Sequence, residues 1–382
     1  MAANTIGIIV NGATGRIGST QHLQNALVAI CREGGLAIGK DRIVPRLLLV
    51  GRDGERLAAV AKAHEVAEWT TDLDAAFENR DFAIFFDAAA THQRPAVLEK
   101  AILAGKHIYC EKPVATSVAQ GLGLLRAAEA RGLKAAVVED KVYLPGLQKL
   151  AHLAETGFFG RVVNFRLEFG WWVFDGVGVG CQRPSWNYRR ASGGGLILDM
   201  VPHWRYLVED VVGPIARVVS AAWTATPERV DERGERYRVD VEDSCAVLVA
   251  LQSGAYGTIL SSWATRVRRD DLLTLQVDGT HGSAIAGLHR CWTQTADETP
   301  RIAHFNVKED IGADYRAGWR EVPAAGPYRN PYRVGWEQFL RHIVVGAPLR
   351  ATFAAGIRDL ALAEACARSM KEDRWVTLDA RS

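Results

Sequence analysis

Apolar and polar positions along the first 145 residues alternate between two periods. Short apolar runs at residues 5–11, 46–50, 82–88, 107–110 and 135–139 read as buried strands. Between them, helical spacing runs from about Ser19 to Cys31 and over residues 54–64, 95–104 and 118–131. Strand and helix in alternation predict a parallel sheet with helices on both faces. After Pro145 the pattern changes. Residues 161–174, 215–226, 244–252, 255–265 and 272–278 alternate as strands, with turn signals at Gly254 and Asp278-Gly279. They predict a larger antiparallel sheet with a helix over 196–210 laid against it. Helical spacing returns at 329–345 and at 354–370, the latter suited to packing back on the first unit.

The first strand ends in Gly12-Ala13-Thr14-Gly15-Arg16-Ile17-Gly18, directly before a helix. Glycines there let the chain turn tightly and let its backbone approach a pyrophosphate at the helix N-terminus. The context predicts a dinucleotide held at Gly12, Ala13, Thr14, Gly15, Arg16 and Ile17. The 2′-position of its ribose is read at the end of the second strand, where Gly51-Arg52-Asp53 stands. Arg52 can stack on adenine or meet a 2′-phosphate, and Asp53 can bond a 2′-hydroxyl. NAD is expected, with NADP left open.

Two further patterns carry reacting groups. Gly105-Lys106-His107-Ile108-Tyr109-Cys110-Glu111-Lys112-Pro113 sets Lys112 at the C-terminal end of a parallel strand, where open α/β sheets bind ligands. Gly193-Gly194-Gly195 leads into Asp199 and His203, four apart and so on one helix face.

With these motifs the chain resembles the Gfo/Idh/MocA oxidoreductases, the glucose–fructose oxidoreductase and inositol dehydrogenase superfamily. Glu242-Asp243, Gly254-Ala255-Tyr256-Gly257, Gly279-Thr280-His281-Gly282-Ser283 and Trp336-Glu337-Gln338-Phe339-Leu340 extend the resemblance from about Thr5 to Leu378. It implies a Rossmann dinucleotide-binding domain over residues 1–147. A second, α/β domain over 148–350, with a large open and mainly antiparallel sheet, would serve substrate binding and oligomerisation. It also implies that Ala89, Thr91, His92, Glu111 and Lys112 lie along the dinucleotide, and that the Lys112–Pro113 bond is a candidate cis peptide. Lys112 would touch the reacting oxygen, with Asp199 and His203 beside the substrate. The chain departs from the family at Trp204-Arg205-Tyr206 and at Ala90-Thr91-His92-Gln93.

The chemistry these residues suit is removal of hydride from a carbinol carbon by a nicotinamide. His203 would take the hydroxyl proton, Lys112 would stabilise the developing alkoxide, and Asp199 would orient His203 or a sugar hydroxyl. Trp171, Trp172, Phe174, Trp186, Tyr188 and Trp204 cluster with Arg183, Arg189, Arg190 and Arg205 around the second motif. Aromatic faces cover sugar C–H faces and arginine forks suit anions, so Trp172, Arg183, Trp186 and Tyr188 are the substrate-binding candidates. The same residue types also pack subunit interfaces. The favoured reading is an NAD(P)-dependent oxidation of a sugar, glycoside or polyol hydroxyl. A redox glycosidase acting on a glycoside such as a sulfoquinovoside, with Tyr188 as an extra base, is the alternative. A non-catalytic cofactor-binding regulator comes third, because it needs no Lys112, Asp199 and His203 together.

Composition removes other classes. Of 382 residues, 48% are hydrophobic and 24% charged, as in ordinary globular proteins. Forty-six basic against 44 acidic side chains leave +2, no footprint for nucleic acid. No apolar run approaches the ~20 residues of a membrane span, and no secretory signal is expected in residues 1–18. Six cysteines without metal or redox spacing fit reduced thiols in the cytoplasm, and no metal site is expected. A bare sheet face over 161–278 predicts a homodimer or homotetramer.

Overall fold

The computed structural model describes residues 3–175, 183–301, 314–324 and 326–378. Its first sheet has β1 (Ala3–Asn11) beside β3 (Asp41–Val50) on one side and β5 (Phe82–Asp87) on the other, all parallel. Beyond β5 lie β6 (His107–Cys110) and β7 (Ala135–Val137), and β3 also carries β4 (Glu68–Thr70). The order therefore reverses at β1, and the strand ends of β1 and β5 are where open α/β sheets place a ligand. Alternate residues of β1 enter different cores. Ile8 and Val10 face one side, Ile9 the other, as expected for a strand covered on both faces.

Helices cover this sheet: α1 (residues 17–32), α2 (Gly54–His64), α3 (Leu73–Glu78), α4 (Arg94–Leu103) and α5 (Val118–Glu129). The glycine-rich insertion before β3 folds as a hairpin. Its first arm, β2 (Leu36–Ile38), pairs antiparallel with the start of β3, which begins five residues before the sequence reading.

The chain then forms α6 (Pro145–Glu155), β8 (Val162–Gly170) and α7 (Leu196–Val212). Next come β9 (Ile215–Trp223) and a separate ribbon of β10 (Glu228–Val230) with β11 (Arg236–Arg238). β12 (Ser244–Leu251), β13 (Tyr256–Ser262), β14 (Leu273–Gly279), β15 (Gly282–Ala286), β16 (Cys291–Thr295), β17 (Arg320–Glu321) and β18 (Val376–Thr377) complete the second sheet, whose order is β17-β16-β15-β14-β8-β13-β12-β9-β18. All its pairings are antiparallel except β8 with β13. α6, α7 and α9 (Phe353–Glu372) lie against one face and share one apolar core with it.

Two helices sit differently from the sequence expectation. α8 (Pro331–Val345), within the span 148–350 assigned to the second unit, buries Trp336, Phe339 and Leu340 in the first sheet's core. The helix expected to pack back on the first unit, α9, serves both. Phe353, Ile357 and Leu360 enter the first core, while Leu362, Ala363 and Cys366 enter the second. Among the described residues no helix is long and apolar enough to cross a membrane, and Cys31, Cys110, Cys245, Cys291 and Cys366 are free thiols. Cys181 lies outside the described residues.

Candidate active site

At the end of β1, Gly12 adopts a φ of +79°, open to glycine and strained for other residues. A Cβ there would meet the Ala88 carbonyl carbon at 2.7 Å, so the first turn and the segment after β5 fit backbone to backbone. Ala13 is buried, while Gly15 and Arg16 face outward. Arg16 stands at the cap position of α1 without a side-chain bond to its first amides. A helix start lacking its own cap, beneath an exposed glycine turn, fits the pyrophosphate of a dinucleotide. Thr14 and Ile17 flank the turn, each half-buried.

At the end of β3, Arg52 is exposed. Asp53 is already engaged as the N-cap of α2, accepting from the Arg56 amide at 3.1 Å. Its carboxylate therefore has a folding role that the ribose reading did not include.

The opposite rim is fixed by a buried pair that the sequence did not flag. Arg94 Nε donates to Asp87 Oδ2 at 2.7 Å, and its other nitrogens donate to the carbonyls of Ala89 and Pro113. Asn11 Nδ2 donates to the same carboxylate at 2.8 Å. One ion pair thus ties the ends of β1 and β5 to the carbonyl of Pro113, which follows the cis Lys112–Pro113 bond. Thr91 is buried in the short turn Thr91–Gln93, and His92 is exposed beside it.

Glu111 is held from the glycine side. Trp336 Nε1 donates to His22 Nδ1 at 3.1 Å, so the His22 proton is on Nε2, which donates to Glu111 Oε1 at 2.8 Å. Burial opposes the Glu111 charge, but this bond and the Lys112 and Arg94 charges keep its carboxyl below the usual range.

The candidate reacting groups meet where α7 faces β6. Lys112 Nζ donates to Asp199 Oδ1 at 2.6 Å and to the Asp199 carbonyl at 2.8 Å. Arg183 donates to Asp199 Oδ2, and its guanidinium carbon lies 4.2 Å from the Trp263 ring centroid. Burial opposes the Asp199 charge, yet Lys112 and Arg183 outweigh it and hold the carboxyl well below the carboxylate range. Asp199 is thus an ionised anchor for two cations, whereas the sequence reading had it orient His203 or a sugar hydroxyl.

His203 is oriented by other residues. Its Nδ1 lies 2.6 Å from Tyr206 Oη and its Nε2 lies 3.2 Å from Lys141 Nζ. Burial, followed by the charges of Lys141, Lys112 and Arg183, pushes its pKa well below the ordinary histidine value. That depression favours the neutral ring.

α7 starts where it does because of Glu242. The Glu242 carbonyl accepts from the Leu196 amide at 3.0 Å and its carboxylate from the Ile197 amide at 2.9 Å. A Cβ on Gly195, whose φ is +118°, would come 2.7 Å from that carboxylate. The triple glycine is the local condition for this capping.

Most of the aromatic and arginine cluster is structural. Tyr188 is fully buried, edge-on to Trp263 and beneath Arg229 at 4.0 Å. Trp204 is buried and donates to Ser261 Oγ at 3.2 Å. Arg205 is buried among Asp359, Glu209 and Glu139. Arg189 stacks on Tyr237, and Arg190 bonds Asp240. Trp172 lies beneath Arg266 at 3.8 Å, and Trp186 is 39% exposed. Of the four arginines, Arg183 is the one bonded to a candidate reacting group, Asp199.

A model of the oxidoreductase family with NAD-binding Rossmann fold matches residues 6–139, and one of the GFO/IDH/MocA C-terminal domain matches 147–285. The chain belongs to the GFO/IDH/MocA oxidoreductase family. It is similar to D-xylose dehydrogenase of Paenarthrobacter nicotinovorans, 41% identical over 378 residues and 97% of both chains. Levoglucosan dehydrogenase of Pseudarthrobacter phenanthrenivorans is 23% identical over 352 residues, covering 87% of this chain and 89% of that one. A solved levoglucosan dehydrogenase in complex with NADH and levoglucosan shares the fold at a TM-score of 0.81. It is 20% identical and covers 99% of this chain and 100% of its own. The fold and the dinucleotide-binding domain of this GFO/IDH/MocA chain are those its motifs imply.

Proposed function

We propose that the chain is an NAD(P)-dependent sugar dehydrogenase acting on a free aldose of the D-xylose type. The observation that carries this is Lys112 locked to Asp199 beside a neutral His203, at the strand ends that flank the glycine turn. The whole-length similarity to a D-xylose dehydrogenase supports the substrate class. When bound at Gly12–Ile17 and Glu111, the dinucleotide supplies the two-electron acceptor for hydrogen leaving a carbinol carbon.

The chain's own residues manage the oxygen and its proton. An ammonium has three donors. Asp199 takes two from Lys112, so one remains for a substrate oxygen and stabilises the charge that grows there. Neutral His203 accepts the hydroxyl proton. Arg183 steadies Asp199 from its other side.

The test is purified protein with NAD+ or NADP+ and a panel of aldoses, polyols and glycosides, followed by absorbance of the reduced dinucleotide. Turnover of D-xylose or a close stereoisomer is expected. Absence of turnover across the panel, despite calorimetric binding of a dinucleotide, overturns the reading.

The outer face of the second sheet exposes Trp223, Leu248, Tyr256 and Leu260 on three adjacent strands. A second copy of the chain is the occupant we infer, giving a dimer or tetramer. Light scattering of the same preparation should exceed one chain, and a monomer at micromolar concentration overturns the pairing. With its free thiols, the protein is read as cytoplasmic.

A further inference from the structure

Lys141 belongs to no motif in the sequence. It lies in the single turn Asp140–Tyr143 just after β7, carried there by the sheet's last parallel strand. Its Nζ is 3.2 Å from Nε2 of His203 and 3.4 and 3.5 Å from the two carboxylate oxygens of Asp140. Burial lowers the Lys141 pKa from the ordinary lysine value, and the adjacent Asp140 carboxylate is the largest influence opposing that and favouring the ammonium. An ammonium has donors only. Nε2 of His203 must then accept, and the single proton of the neutral ring sits on Nδ1, which donates to Tyr206 Oη.

We propose that Lys141 is a positioning residue for the dehydrogenation, holding His203 in its neutral Nδ1–H tautomer so that the ring's one proton-accepting lone pair is on Nε2. The proposal rests on the dehydrogenase reading above for its meaning in catalysis, while the contacts themselves do not.

The groups around the imidazole come from every side of the pocket. Lys112 follows β6, Arg183 precedes α7, and Asp199 and Tyr206 lie on α7 itself. Asp140 Oδ1 stands 3.8 Å from Nδ1, and Tyr332 of α8 bonds Asp140 from behind. Lys141 is the cation bonded to the ring. Three cations against two carboxylates disfavour a second proton on it, so its lone pair is available to a substrate hydroxyl. The proton balance is simple. The hydroxyl O–H bond breaks as the Nε2–H bond forms, and Lys141 turns its donor wholly to Asp140.

Lys141→Met removes the donor and the charge, whereas Lys141→Arg keeps both. In the methionine variant His203 protonates more readily, so the acidic limb of kcat/KM moves to higher pH. At about pH 6 the loss relative to wild type should be about tenfold greater than at about pH 8.5. KM for the sugar should change little, and the arginine variant should keep the wild-type profile.

A second readout needs no turnover. In protein labelled with nitrogen-15 histidine, the His203 signal is the one missing from His203→Gln. In wild type it should report the Nδ1–H tautomer without titrating between about pH 6 and 9. In Lys141→Met it should titrate or populate Nε2–H, while the other histidine signals show the fold intact. An unchanged His203 signal and pH profile in Lys141→Met, or Nε2–H already present in wild type, overturns the proposal. A shifted signal in a protein that oxidises no sugar keeps the contact and overturns the dehydrogenase reading instead.

Discussion

In the dehydrogenase reading proposed above, Lys112, Asp199 and His203 divide the work by charge. Two cations bind Asp199 and hold its carboxyl well below the carboxylate range, which makes it a weak proton acceptor. In the proposed reaction Lys112 would meet negative charge on oxygen and His203 would take the proton. Lys112→Met should keep the fold and dinucleotide affinity but lower kcat by about 10² to 10³, the usual scale for one charge-stabilising donor. His203→Ala should lower it by about 10² to 10⁴, with partial recovery at high pH where hydroxide replaces the base. Asp199→Asn should fall between wild type and Lys112→Met, because the lysine loses its anchor and keeps its charge. Steady-state kinetics with an accepted sugar and calorimetry with the dinucleotide check all three. If each variant stays within a few-fold of wild type, the chemistry lies elsewhere.

At the scale of elements, the alternating strands and helices were legible because each carries its period within a dozen residues. The glycine turn, Lys112 and the Asp199/His203 spacing were legible for the same local reason. What escaped depends on partners far along the chain. His22 reads as one polar residue on a helix, yet it holds Glu111, 89 positions away. Lys141 and His203 are 62 apart. The β2–β3 hairpin hid in a charged, glycine-rich stretch, with Pro45 inside a strand where proline argues against one. The aromatic cluster misled for a related reason, since Tyr188 and Trp204 read alike whether they face a ligand or a core. The Asp87–Arg94 pair shows what such hidden contacts are worth. Both side chains are almost wholly buried, and Arg94 also binds the carbonyls of Ala89 and Pro113. Arg94→Met would strand a buried carboxylate and should cost about 3–5 kcal/mol in urea unfolding. Adding Asp87→Asn should restore part of that and leave the dinucleotide rim misplaced. A loss below about 1 kcal/mol would show that the pair is dispensable.

At the scale of the whole molecule, the two sheets are joined by α9 and by a buried ionic cluster at its side. Arg205 on α7 donates to Asp359 of α9 at 2.6 Å and to Glu209 at 3.0 Å, and reaches Glu139, just after β7, at 3.4 Å. Burial of Asp359 and Glu139, with repulsion from neighbouring carboxylates, outweighs the charges of Arg205 and the nearby Arg358 and raises both carboxyl pKa values, that of Asp359 to about 7. The folded state then keeps a proton that an unfolded aspartate, with a pKa of about 3.9, has released. Stability from this group is complete below the unfolded value and is lost as pH rises through the folded one. The window is therefore about pH 4 to 7, with a slope of at most about 1.4 kcal/mol per pH unit. Buried His203 acts in the opposite sense. Its folded pKa lies below the unfolded value, so its contribution is lost as pH falls below about 6.5. Wild type alone would mix the two, and the informative quantity is its difference from Asp359→Asn. That variant keeps a neutral partner near Arg205 and cannot titrate. Thermal unfolding at about pH 5 and about pH 8 should show wild type losing more stability than Asp359→Asn as pH rises. Equal pH dependence in both proteins would mean that Asp359 is ionised throughout and that the arginine charges around it outweigh its burial between the two sheets.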